Sequence, residues 1–153
     1  MRFERCSTRD VLPLRQSVLR PGQPAEASHY PTDNAVTTIH LFAREDAGTV
    51  VCVASLALDP APGELATSVP VASQWRLRGM ASAEAVRGTG VAKQLLSKGI
   101  ELALEAGAQL FWCNARSPAV GFYLAQGWVT VGTEFELPAI GPHLLMTLPM
   151  NEP

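Results

Sequence analysis

The feature that most restricts the fold is one strongly amphipathic helical segment, residues 90–106, set between segments that read as strands. Ala92, Leu95, Leu96, Gly99 and Ala103 recur on one helical face, while Lys93, Lys98, Glu101 and Glu105 take the other. Gly107 stands where a left-handed C-terminal cap ends such a helix. A helix with a single apolar stripe needs an apolar sheet to cover. Alternation and β-branched enrichment supply the strands, at 2–6, 36–43, 49–58 and 74–81 before the helix and at 109–115, 129–137 and 143–148 after it. A second helical pattern follows the Ser7 or Thr8 cap over 8–20 and stops at Pro21-Gly22, and a third starts at Ser117-Pro118 and stops at Gly127. Residues 45–48 form a hairpin turn, and the Pro- and Gly-bearing stretch 60–70 is a loop. The order β-α-β-β-β-α-β-α-β-β predicts a mixed α/β (α+β) fold on one sheet, with a right-handed crossover from strand four to strand five.

At 153 residues the chain is expected to form one domain, 1–153, and 47% hydrophobic against 17% charged residues suits an ordinary buried core. Twelve Lys and Arg against fourteen Asp and Glu leave a net charge of −2, which argues against nucleic acid as a partner. Cys6, Cys52 and Cys113 share no metal-ligand or disulfide spacing and read as buried thiols, so no metal is expected. The longest apolar stretch, near 49–58, is strand-sized. No membrane span or export signal is legible, and a cytoplasmic location is expected. Oligomeric state stays open, a homodimer included.

The chemistry concentrates where the long helix begins, at Arg87-Gly88-Thr89-Gly90-Val91-Ala92. Free amides at a helix start, with glycines that let a phosphate approach the main chain, make an anion site. The spacing alone equally fits a glycine turn that only starts a helix. A P-loop is absent, and the dinucleotide pattern fails because Lys93 stands where its third glycine belongs.

The run Arg87-x-x-Gly90-x-Ala92 resembles the pyrophosphate-binding motif of the GNAT superfamily of acyl-CoA-dependent N-acyltransferases. The later run from Asn114 through Phe122-Tyr123 to Gly127-Trp128 resembles the family's second motif, in the matching order and separation. The resemblance covers residues 3–148 and is specific over 75–128. It implies a mostly antiparallel seven-stranded sheet, splayed between strands four and five and flanked by helices. It also implies acetyl-CoA as co-substrate and an amine of a small molecule or peptide as acceptor. Carried over by position, the amides of Arg87, Gly88, Thr89, Gly90, Val91 and Ala92 would hold the coenzyme pyrophosphate. Met80 and Ala81 would pair edge-on with the pantetheine, Gly79 would mark the bulge that opens the strands, and Asn114 would hydrogen-bond the coenzyme. Tyr123 would be the general acid.

Direct transfer from a thioester asks for an aligned neutral amine, stabilisation of the oxyanion, and a proton for the departing sulfur. Tyr123 on its own reads as a core aromatic, and its Phe122-Tyr123 context favours the acid. Glu136 and His143 are the candidates for general base, because the tail from Phe135 to Met146 resembles the stretch between the last two strands in some bacterial members of the family. Each equally reads as a solvated carboxylate or a structural imidazole. His40 is expected to be structural. Cys113, in an apolar strand beside Trp112, is read as inert core. Arg76 and Arg78 alternate with Trp75 and Leu77, so both point to one face. That face is either solvated or, if it opens on the cleft, suited to a carboxylate-bearing acceptor. The alternative to an enzyme is a catalytically silent acyl-CoA-binding sensor or partner module.

Overall fold

The computed structural model of the chain describes residues 1–150. Seven strands make one sheet: β1 (Arg2–Cys6), β2 (Ile39–Arg44), β3 (Val50–Leu58), β4 (Gln74–Ser82), β5 (Leu110–Arg116), β6 (Val129–Leu137) and β7 (Gly141–Thr147). Their spatial order is β1-β2-β3-β4-β5-β7-β6, and only β4 with β5 is parallel. The helices are α1 (Thr8–Leu14), α2 (Val91–Glu105) and α3 (Val120–Ala125).

On one face of the sheet α2 buries Leu95, Leu96, Gly99 and Ala103 against Leu41, Leu56, Leu77 and Phe111. Each fully buried leucine there contributes about 1.5–3 kcal/mol relative to an exposed one. Gly99 sets how closely the helix sits, since a Cβ at that position would lie 2.4 Å from Cδ1 of Leu56. On the other face Val11 of α1 packs with Val53 and Ala81, joined by Leu14, Val18 and Phe42. A capping box at Ser7 and Asp10 starts α1. Pro13 lies within it, and a π-helical turn, Arg15–Leu19, continues it to Arg20. The predicted helix over 8–20 is therefore two geometries in series, its second half wound wider downstream of a proline that lacks an N–H.

Strand two starts three residues later than the pattern predicts. Val36 is 97% exposed, and the backbone before Ile39 turns, with the Thr38 N–H donating to the Ala35 carbonyl and the Thr38 hydroxyl to that of Thr32. The hairpin over 45–48 is present, closed by the Gly48 and Glu45 amides.

Two irregularities in β4 shape the molecule. Against β3, Val53 pairs with Ala81 but Ser55 pairs with Arg78, so β4 carries one extra residue around Gly79, whose φ is +64°. This is a β-bulge with glycine in the left-handed region. Against β5, pairing runs only from Gln74–Leu110 to Arg76–Trp112 and then stops. Beyond that point the two parallel strands part, and their C-terminal halves form the walls of an opening.

Candidate active site

The opening between β4 and β5 leads into two adjoining cavities. The larger, about 670 Å³, is a groove bounded by Met80, Ala81 and Ser82 of β4, the turn before α2, and Phe122 and Gln126 of α3. The smaller, about 140 Å³, is a cleft lined by Arg76 and Arg78 of β4, Asn114 and Arg116 of β5, Tyr30, and His143 of β7. Leu19, Met80, Arg116, Ala119 and Tyr123 line both.

The groove is built largely from main chain. Gly88 and Gly90 adopt φ of +77° and +87°, and Gly90 is the N-cap of α2 with no side chain to cap it. The first amides of the helix therefore have no capping partner and point, with the helix dipole, toward the groove. A Cβ at either glycine would meet nothing within 4 Å, so glycine is there for its backbone conformation. Arg87, Gly88, Gly90 and Ala92 line the groove, while Thr89 and Val91 do not; the Thr89 hydroxyl turns back to the Val86 carbonyl. Lys93 also lines the groove. The sequence places it on the polar face of the helix and at the position that spoils a dinucleotide motif, and its place in the first turn of the helix was the signal.

Tyr123 stands where groove and cleft meet. It is 6% exposed, packed edge-on against Phe122 and tilted against Trp128, with centroids 5.1 and 5.6 Å away. Among the described residues its hydroxyl has no hydrogen-bond partner. Burial, with smaller contributions from Cys113, Cys52 and Tyr30, raises its pKa, so the phenol keeps its proton.

His143 is buried, stacks on Phe135 at 6.0 Å, and makes a 2.8 Å contact from Nδ1 to the Gly141 carbonyl. A carbonyl only accepts, so Nδ1 carries the proton and Nε2 of the neutral ring keeps its lone pair. Glu136 is the exception among the expected residues. It is exposed and lies outside the cleft, whereas Leu137 lines it and Phe135 stacks on His143. Side chains alternate along β6, so Phe135 and Leu137 turn inward and Glu136 turns out. The alternation of apolar and acidic residues in Phe135-Glu136-Leu137 was the signal that separates it from His143. Asn114 lines the inner cleft and not the larger groove.

Beneath the cleft lies a buried polar cluster that the sequence reading did not assemble. Arg15, 0% exposed, donates to both oxygens of Asp33 at 2.8 and 3.0 Å, to the Ser28 carbonyl at 3.0 Å and to the Ser55 hydroxyl at 2.7 Å. Ser55 in turn contacts His40 Nδ1 at 2.6 Å, and His40 Nε2 lies 2.9 Å from the Asp33 carbonyl, so His40 is structural. Burial pushes the Asp33 pKa up, but hydrogen bonds from Arg15 and the Tyr30 amide, with the Arg15 charge, bring it below the ordinary value. Gly79 makes room for this arginine: a Cβ there would lie 2.6 Å from Arg15 Nε. Tyr30 carries the guanidiniums of Arg15 and Arg78 over its ring, at 4.1 and 3.9 Å.

Cys113 lines the cleft, with its thiol pushed up to about 12 by burial against a smaller opposing effect of Arg76. Such a thiol is a poor nucleophile at neutral pH. Among the described residues no cluster of His, Cys, Asp and Glu could hold a metal ion, and no helix is long and apolar enough to cross a membrane.

Comparison with known proteins agrees with this architecture. The model of the Acetyltransferase (GNAT) family matches residues 10–128. A Bacillus subtilis (strain 168) protein, described as uncharacterized N-acetyltransferase YitI, is 36% identical over 140 residues, which cover 92% of this chain and 90% of the relative. Among solved structures, Escherichia coli ElaA superposes with a TM-score of 0.75 at 19% identity, over 97% of this chain and 100% of its own. An aminoglycoside 6′-N-acetyltransferase complexed with coenzyme A superposes with a TM-score of 0.73 at 11% identity, over 99% and 100%. At these identities the two solved structures speak for the fold alone.

Proposed function

The chain belongs to the GNAT family of acetyltransferases, and from that premise we propose that it transfers the acetyl group of acetyl-CoA directly to a small amine, with Tyr123 as general acid. The observation that carries the reading is the place of Tyr123: among the described residues its hydroxyl has no partner, and the residue lines both the groove and the cleft. In this reading the uncapped amides at the start of α2 and the glycine turn before it bind the coenzyme pyrophosphate. The edge of β4 at Met80 and Ala81, unpaired on its β5 side, is free to pair with the pantetheine arm and to steady the oxyanion. Asn114 lies on the cleft side of that arm, within the space where its thioester end would enter.

The acceptor enters the cleft beside His143, whose Nε2 takes the proton of the incoming ammonium. Glu136, which turns outward, has no part in this reading. The nitrogen then attacks the carbonyl carbon; the carbon–nitrogen bond forms, the carbon–sulfur bond breaks, and Tyr123 gives its proton to the sulfur. The second proton of the nitrogen restores the phenol, so one proton is released per amide formed. The neighbouring arginines help, since positive charge nearby disfavours the ammonium form of the amine.

A thermal-shift titration with acetyl-CoA, coenzyme A, ATP and NAD in parallel, followed by thiol release with amine acceptors, tests the proposal. Acetyl-CoA and coenzyme A should each stabilise the protein by about 2.7 kcal/mol at a hundred times Kd, with no response to ATP or NAD. Stabilisation without turnover on any amine would favour a silent acyl-CoA-binding module. A response to ATP or NAD alone would overturn the assignment of the turn at Arg87–Ala92.

A further inference from the structure

We infer that the acceptor is a small amine that carries a carboxylate, and that Arg78 is the residue that recognises it. The inference rests on the acetyltransferase reading above and names the substrate class of the same cleft.

Four arginines, Arg20, Arg76, Arg78 and Arg116, line the cleft, and no aspartate or glutamate does. Three of them are already engaged. Arg76 pairs with Asp59 at 3.3 Å and lies over the Trp112 ring at 4.6 Å. Arg20 and Arg116 both donate to the Leu19 carbonyl. Arg15, just beneath, is neutralised by Asp33. Arg78 differs: among the described residues its guanidinium makes no hydrogen bond and meets no carboxylate, and only the Tyr30 ring holds it. Burial, and next the charge of Arg76, lower its pKa to about 10, so it stays a cation in surroundings that penalise its charge. A planar guanidinium held over a ring, with its donors free, is available to a bidentate partner, and a carboxylate has that geometry.

The size and charge of the cleft agree. Its 140 Å³ has room for on the order of ten water-sized groups at about 10–15 Å³ each, which fits a free amino acid. Its positive lining opposes polyamines and other multiply cationic amines. An amine and a carboxylate on one small molecule would satisfy both ends, the nitrogen toward His143 and Tyr123 and the carboxylate on Arg78.

The test compares a panel of amino acids with their primary carboxamides and with spermidine, by thiol release from acetyl-CoA. The amine of a carboxamide is the less basic, so intrinsic reactivity at neutral pH favours the amide, and a preference for the acid has to come from the site. The best amino acid should exceed its carboxamide in kcat/KM by about ten- to hundredfold, and Arg78→Gln should collapse that ratio toward one by raising KM for the acid. The coenzyme A thermal shift of the variant reports that it is folded. A second readout needs no turnover: with coenzyme A present, the amino acid and not its amide should stabilise the wild-type protein, and Arg78→Gln should lose that difference. Carboxamides or spermidine used as well as the acids, or a ratio unmoved by Arg78→Gln, would overturn the inference. Amino-acid binding that depends on Arg78, without thiol release, would uphold Arg78 as the carboxylate-recognising residue and remove the catalytic reading, and with it the name acceptor. Absence of both binding and turnover with every acid would remove it.

Discussion

The two cavities that meet at Tyr123 are made of different material. The groove is largely main chain: a glycine turn, the uncapped start of α2 and the open edge of β4, contributed by neighbouring stretches of sequence and bounded by Phe122 and Gln126 of α3. The cleft is side chain: Tyr30 from the loop after α1, Arg76 and Arg78 from β4, Asn114 and Arg116 from β5, and His143 from β7. Backbone donors serve any ligand with the same phosphates and amides, whatever side chains surround them. A cleft of side chains has a composition that can change one residue at a time. In the proposed reading the fold separates a fixed donor half from an adjustable acceptor half, and their dependence on side chains should differ accordingly.

The largest effect expected belongs to Tyr123, one of the residues that line both cavities. Tyr123→Phe should lower kcat by about 10²–10⁴ while leaving the coenzyme A thermal shift intact, as measured by thiol release at saturating substrates. A loss expressed mainly in coenzyme binding would make Tyr123 part of the groove alone and break the symmetry of its role.

Next comes the support beneath the cleft. Asp33→Asn leaves the Arg15 cation buried without its counter-ion, and should destabilise the fold by about 3–5 kcal/mol in chemical denaturation. The same pair predicts the response to acid. Because the Asp33 pKa is lowered on folding, its contribution is complete above the ordinary carboxylate value and drains away as pH falls through the folded one. The wild-type protein should lose stability more steeply than the variant below that value, and equal acid slopes in the two would show that the pair contributes nothing. Coenzyme stabilisation should persist in the variant at temperatures where it is folded, because the groove does not rest on Asp33.

The smallest of these effects is the most selective. Gly90→Ala forces an L-residue into the left-handed region, at about 1–2 kcal/mol, with no side-chain clash in the free protein. Coenzyme A affinity should fall about tenfold, read by calorimetry, while KM for the acceptor stays as it was. If the acceptor KM rises in step, the two cavities are coupled and the division drawn between them fails.

The same difference in material decides what was legible in advance. Strands and helices follow from periodicity, and β1 and β6 appear with the bounds that the pattern gives. Of the groove, Arg87, Gly88, Gly90 and Ala92 lie on one short motif and could be named from it, although Thr89 and Val91 of the same motif do not line it. Of the cleft, Arg76, Arg78, Asn114 and His143 could be named singly but their assembly could not, because Arg15 meets Ser55 and Arg116 meets Leu19 across 40 and 97 residues, and no local spacing encodes such contacts. Tyr30 and Asp33 sit in a stretch that reads only as a polar connection, where their partners are invisible until α1 folds over the sheet. Glu136 reads equally as a base and as a solvated carboxylate from the sequence, and strand alternation is what turns it out of the cleft.

The extra residue at Gly79 has one more consequence, which is a matter of phase. Before it, the even-numbered Arg76 and Arg78 of β4 lie toward the cleft and the odd-numbered Trp75 and Leu77 lie under α2; after it, the odd-numbered Ala81 packs with Val11 of α1, and Ser82 meets Cys52. The strand has exchanged its two faces in mid-course. Adding or deleting a single residue between Arg78 and Ala81 would exchange them back, sending one half of the strand to the wrong side of the sheet, whereas a substitution leaves the count unchanged. The arginine half of β4 and its groove-lining half are thus free to drift apart in composition, but not in length.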